Sequence, residues 1–193
     1  MKLRLKEMNS RIDEILNFWF EKTTPEQRFK KDEDLDHEIK NNFLIDYENA
    51  SLNIYDDWQD TPKGCLALVI LLDQFSRNMF RGSKKSFEQD SKARLIVNYA
   101  LKSGYLELLN QDQRLFMLLP LIHSEELFDH EMAYFFLDRY LSDHPGLNDI
   151  KKSWKDHTKA IKRFNRYPHR NEILDRKSTE EEIEFLKNSN SSW

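Results

Sequence analysis

"DTPKGCLALVILLDQF", residues 60–75, decides the fold. Thr61 offers the side-chain oxygen an N-cap requires, and Pro62 suits the first helical position, where its missing N–H costs nothing. From Cys65 to Leu72 every residue is apolar. A helix that is apolar nearly all round has no solvent face, so the stretch to Phe75 predicts a central buried helix. At eight residues the run is far short of the ~20 needed to span a bilayer, as is Leu115–Ile122.

The rest of the chain reads as layers around such a helix. Four Gly and five Pro in 193 residues leave few turn-formers for an all-β fold, while 33% charged residues mixed with Leu, Ile and Phe suit amphipathic helices. The expected fold is therefore all-α. Ser10 is placed to cap a first helix carrying Ile12, Ile15, Leu16, Trp19 and Phe20, ended by Thr23–Pro25. A second runs from about Asp34 to Ser51, with Leu35, Ile39, Phe43 and Tyr47 on one face. After a loop over 78–86, an amphipathic segment from Phe87 to Ser103 is capped by Gly104. The next buried helix, 112–123, should be stopped or kinked at Pro120, and Ser124 opens another that breaks at 142–146. A penultimate helix spans roughly Leu147–Tyr167, and "STEEE" (178–182) is a capping box for a short last one. About eight helices with short connections predict a compact antiparallel array in one domain, residues 1–193, with a loose polar tail over about 187–193.

Composition narrows the function classes. A lone cysteine, Cys65, excludes an internal disulfide and fits a reducing compartment. The opening "MKLRLKEMNS" lacks the apolar core of a secretory signal, so a soluble cytoplasmic protein without membrane contact is expected. A net charge of −4 gives no global attraction to nucleic acid.

The penultimate helix carries the most informative polar residue. Ile150, Trp154, His157, Ile161 and Phe164 follow one helical stripe, so His157 faces the core and is desolvated. A core histidine bonded to a backbone carbonyl is the ordinary reading; a functional imidazole is the other. Lys152, Lys155, Lys159 and Lys162 fall on the opposite face, a solvated stripe without the stacking pattern of a nucleic-acid surface; Arg166 joins them only if the helix lasts that far, and otherwise is a pocket candidate. Asp73 continues the face of Leu66, Val69 and Ile70, where an isolated carboxylate is costly to bury; Arg77, four residues on, is within reach of it. That pair either fastens a helix end or, with Gln74 and Asn78, lines a cavity in which the carboxylate steadies the guanidinium for an anionic ligand. His123 and Glu125 stand where one helix ends and the next begins, where Ser124 as N-cap and acidic residues near the positive helix end are the ordinary explanation. Beyond Pro168, His169, Arg170 and Asn171 leave the helical phase and are free to turn inward.

Several chemistries lack their residues. His130–Glu131 is not followed by a second histidine at metalloprotease spacing, and no paired CxxC, phosphate-cradling glycine loop or GxSxG elbow occurs. No metal site, nucleotide or other cofactor is therefore expected.

Taken together, "ILNFWF" (15–20), "LALVILLDQFSRNMFRG" (66–82), "LPLIHSEEL" (119–127), "RFNRYPHRNEIL" (163–174) and "STEEEIEFL" (178–186) resemble the DUF924 family of uncharacterised bacterial proteins. The resemblance covers almost the whole chain. It implies an all-α, TPR-like right-handed superhelical array and no established activity. The family pattern falls on Asp73, Gln74, Phe75, Arg77, Asn78, His123, Ser124, Glu125, Arg166, Pro168, His169, Arg170 and Asn171. Ser76 stands where the family usually has proline, and Asn165 and Asp175 where it commonly has glycine, departures expected in turns.

Two functions compete, ahead of a third, an adaptor for nucleic acid or an acidic protein on the lysine stripe, whose binding would weaken steeply with salt. A binding module would clamp a small anionic molecule or a peptide end with Arg77 and Arg170, aided by Asn78 and Asn171, with Asp73 and Glu125 orienting the cations. An acid–base enzyme would instead move a proton on His157, His123 or His169, partnered by Asp73 or Glu125. The sequence is silent on oligomeric state.

Overall fold

The computed structural model describes residues 2–187, with side chains from residue 7 onward; the expected loose tail beyond 187 lies outside the described residues. Among the described residues there is no strand, and the chain is all-α. Two compact units divide it, Met1–Met117 and Leu118–Trp193.

The first unit is built on residues 60–75. Thr61 accepts the Gly64 N–H at 3.0 Å and α4 (Pro62–Val69) starts on Pro62, as its residue types dictate. A Cβ at Gly64 would lie 2.0 Å from the Trp58 carbonyl oxygen, so only glycine fits this approach. The helix then widens into a π-helical turn, Ile70–Phe75, before α5 (Ser76–Met79). Every residue from Gly64 to Ser76 is buried. Around it lie α1 (Lys2–Asn17), α2 (Pro25–Phe29), α3 (Glu33–Ser51) and α6 (Asp90–Lys102), with α1, α3 and α6 packed against the central rod. Phe18 and Trp19, in a second π-helical turn after α1, meet the Phe75 ring edge-on at 5.9 and 5.5 Å.

Local chemistry departs from expectation at several points. Ser10 lies inside α1 rather than capping it. Thr24 instead forms a capping box with Gln27 that opens α2 on Pro25, a short helix missed for want of an apolar stripe. The expected loop over 78–86 is partly helical, through the end of α5 and a 3-10 turn over Lys84–Ser86. Helix α6 ends as expected, with Gly104 in the left-handed region at φ 70°.

In α7 (Gln111–Ile122), Pro120 does not stop the helix: it sits in the last turn, where its missing N–H forfeits a single bond, and the His123 N–H still reaches the Leu119 carbonyl at 2.9 Å. The second unit continues with α8 (Leu127–Tyr140), α9 (Leu147–Phe164) and α10 (Glu180–Leu186). Ser124 does not cap α8; its hydroxyl donates to Asp129 at 2.5 Å and accepts the Glu126 N–H at 3.0 Å. Helix α9 stops at Phe164, three residues early, because Asn165 turns left-handed at φ 54°. Asn165 and Asp175 (φ 53°) thus occupy conformations that explain glycine in the family pattern, and asparagine and aspartate are the residues that tolerate them next best. Ser76 is in no turn; it opens α5 inside the rod.

Candidate functional site

In the first unit, the polar residues at the end of the central rod are drawn into internal pairs. A π-helical turn breaks the regular i→i−4 ladder, so its carbonyls need other donors. Ser76 Oγ donates to Leu72 O at 2.8 Å, and Arg77 Nη1 donates to Asp73 O at 2.7 Å. The Asp73 carboxylate, fully buried, lies 3.2 Å from Arg77 and accepts the Gln74 amide at 2.5 Å. Arg77 also reaches Asp90 of α6 at 3.1 Å and stacks over Phe87. Asn78 donates to Asp36 of α3 at 2.7 Å, and Arg81 grips the same carboxylate through two bonds of 2.7 and 2.8 Å. Asp73, Gln74, Arg77 and Asn78 therefore work with Asp36, Arg81 and Asp90, which sequence reading did not single out, in binding α3 and α6 to the rod.

In the second unit, the family-pattern residues gather around Tyr167, which is fully buried. Its hydroxyl donates to the Ile122 carbonyl at the end of α7. Its ring centre lies 5.9 Å from His157, 5.4 Å from His169 and 6.4 Å from His130, and the Arg170 guanidinium stacks on it at 4.5 Å. His123 stands 6.3 Å from His157, and its carbonyl accepts from Arg170 Nη2 at 2.9 Å. His123, His157, His169 and Arg170 thus share one neighbourhood within this unit.

His157 is 6% exposed and on the core stripe of α9, beside Trp154 and Ile161, while Lys152, Lys155, Lys159 and Lys162 face solvent. Its Nδ1 lies 2.8 Å from the Ser153 carbonyl, an acceptor only. Nδ1 therefore carries the proton, and Nε2 is the ring's acceptor in the neutral form. Burial, with the charges of His123, His130 and His169 adding to it, pushes His157 down to about 3 against the Ser153 bond.

His130 was missed. It continues the buried α8 stripe of Ala133 and Leu137, the same signal that marks His157 on α9. Its Nε2 lies 2.9 Å from the Ser124 carbonyl and its Nδ1 2.9 Å from Thr158 Oγ. Burial lowers its pKa, and the charges of His123 and Arg170 act in the same direction. Among the described residues, no three His, Cys, Asp or Glu side chains are arranged to hold a metal ion.

The acidic members serve as struts. Glu125 is held by Arg176, through bonds of 2.7 and 3.0 Å, and by the Tyr167 N–H at 2.8 Å, and the Arg170 charge also acts on it. Burial by itself would raise the Glu125 carboxyl; Arg176 and the Tyr167 N–H outweigh it and keep it below the usual range. Arg176 Nε donates to Asn171 at 2.9 Å, and Asn171 donates to Ser178 at 3.1 Å.

Arg166 does not continue the outward lysine stripe. The left-handed turn at Asn165 releases it from α9, and it makes two bonds, 2.6 and 2.8 Å, to Glu182, which is 2% exposed. Glu182 is also the N3 residue of the Thr179 capping box, accepting the Thr179 N–H at 2.8 Å. The Arg166 bonds hold its carboxyl down to about 2.

No helix among the described residues is long and apolar enough to cross a membrane. No curated protein matches the sequence. A solved structure, that of the protein of unknown function ATU0120 from Agrobacterium tumefaciens, is similar over 93% of this chain and 98% of its own, at 31% identity and a TM-score of 0.85. The model of a family described as bacterial protein of unknown function matches residues 15–190, so the buried rod, the Tyr167 cluster and the Glu182 capping box all lie inside a chain that belongs to the DUF924 family.

Proposed function

We propose that this chain is a binding module, its helices arranged in the TPR-like manner, that takes a small anionic molecule or the carboxylate end of a peptide at His123, His157, His169 and Arg170. The observation that carries the proposal is geometric: His157, His169 and the Arg170 guanidinium gather on the buried Tyr167 ring with His123 beside His157, and burial first, then repulsion by the charges of His123, His130 and His169, disfavours a proton on His157. An anion placed among these groups relieves that repulsion, so binding energy and proton uptake go together. Arg170 adds a guanidinium oriented by the Tyr167 ring and the His123 carbonyl, a donor type suited to carboxylate or phosphate. We place the module in the cytoplasm, because a single cysteine suits a reducing compartment; Cys65 is a buried thiol, pushed up to about 12 by that burial. The lysine face of α9 is read as a solvated face, not a nucleic-acid surface.

An acid–base enzyme in the same residues is the second reading, favoured by the fixed tautomer of His157. A pKa of about 3 makes Nε2 a weak base at neutral pH, and Glu125 is engaged by Arg176, so the binding reading stands first.

The test is titration calorimetry and thermal unfolding of the full chain with inorganic phosphate, succinate, and a short peptide with either a free or an amidated C-terminus. Saturable binding of at least one anion is expected, with proton uptake seen as a heat that varies with the ionisation enthalpy of the buffer, a raised Tm, and loss of both in His169→Ala and Arg170→Ala. Absence of saturable binding for every probe, or affinity unchanged in both variants, overturns the proposal. Turnover in a broad hydrolase screen that a folded His157→Ala variant abolishes would establish the second reading in its place.

A further inference from the structure

We infer that the outer face of α8 is a self-association surface for a second copy of this chain. Phe128 and Phe135 are 71% and 61% exposed. Seven residues apart, they point within ~20° of each other around the helix, and the half-exposed Met132 lies between them. The Phe136 ring meets Phe135 edge-on at 5.2 Å and stacks on Tyr140 at 6.0 Å, extending the strip to the end of the helix. Single exposed apolar side chains are ordinary, but a continuous run of three phenylalanines and a methionine along one helix is not. The opposite face of α8 is already used, with His130, Ala133 and Leu137 buried in its own unit.

The charges on the same helix select the partner. Glu131 and Arg139 are both exposed, and among the described residues neither is in an ion pair; Arg139 lies over the Tyr140 ring at 5.4 Å. Eight residues apart, about 12 Å along the axis, they cannot meet within one helix. When two copies of α8 run antiparallel about a two-fold axis near Met132 and Phe135, Arg139 of each copy comes beside Phe128 and Glu131 of the other. Both contacts then occur twice, as an isologous interface requires. Asp138, the remaining exposed charge on that edge, is drawn aside by Lys151 of α9 at 3.0 Å. The helix therefore presents an apolar strip whose flanking charges are complementary to its own reversed copy.

Sedimentation velocity and light scattering of the full chain across a dilution series test this. A reversible dimer is expected, and Phe135→Asp raises its dissociation constant roughly thirtyfold or more, the effect of removing a central aromatic anchor. Glu131→Arg weakens the dimer about tenfold, and Arg139→Glu in the same chain restores it to within about threefold, the signature of a charge pair across the interface. The charge-reversal pair decides the matter should Phe135→Asp lose its helical circular dichroism. A monomer up to on the order of 100 μM, where even a weak homodimer is populated, or a dimer indifferent to Phe135→Asp and to charge reversal, overturns the inference.

Discussion

Acidification gives a direct reading of how deeply the Tyr167 cluster is buried. In the folded protein His157 takes up its proton only near pH 3, whereas in the unfolded chain it does so near 6.5. Between those values the unfolded state binds one more proton than the folded state. The stability that neutral His157 contributes is therefore complete above about pH 6.5 and lost as the pH falls through the window. Each unit removes ~1.4 kcal/mol, so a descent to about pH 4.5 costs about 2.7 kcal/mol through this residue. In His157→Asn the side-chain amide can still donate to the Ser153 carbonyl, but nothing titrates. Urea unfolding of both proteins at about pH 7.5 and about pH 4.5 should show the wild type losing about 2–3 kcal/mol more than the variant. Equal acid losses, or an imidazole signal of His157 in long-range proton–nitrogen spectra that titrates near its ordinary value in the folded protein, refutes the reasoning.

Two further outcomes follow from the second unit. The Glu182 carboxyl is held near 2 against an ordinary value of 4.5, so its contribution is present above about 4.5 and lost as the pH falls towards 2. Glu182→Gln should cost about 1–2 kcal/mol at neutral pH, allowing for solvent screening of the partly exposed Arg166, and should flatten that acid limb in urea unfolding. Asn165→Gly should stabilise the protein by about 0.5–1 kcal/mol, by removing a Cβ from the left-handed region that closes α9; a lowered Tm would contradict this account of the turn.

What the sequence disclosed followed local rules. The apolar run after Thr61–Pro62 specified a buried rod because no face of it was polar, and His157 was legible because one helical period sets both its own address and those of Trp154 and Ile161. Partner choice was less legible. Glu125 and Arg176 are 51 positions apart, and nothing in the neighbourhood of either names the other. The direction of Arg166 was not legible from helical phase, because Asn165, a single residue with positive φ, resets that phase. His130 was legible by the same rule as His157, since it shares one helical stripe with Ala133 and Leu137.

The π-helical turn at Ile70–Phe75 amounts to one surplus residue held inside a helix. It lengthens the chain without completing a matching turn of α-helix, so the residues after it are rotated by roughly 100° from the direction an uninterrupted helix would give them. The heading of Arg77 and Asn78 towards Asp90 and Asp36 is set by that surplus and not by their own spacing from Leu66. A chain one residue shorter within 70–75 could keep every apolar side chain type and still aim its polar end at the wrong neighbours. In this fold, length within the rod is as much a specification as composition.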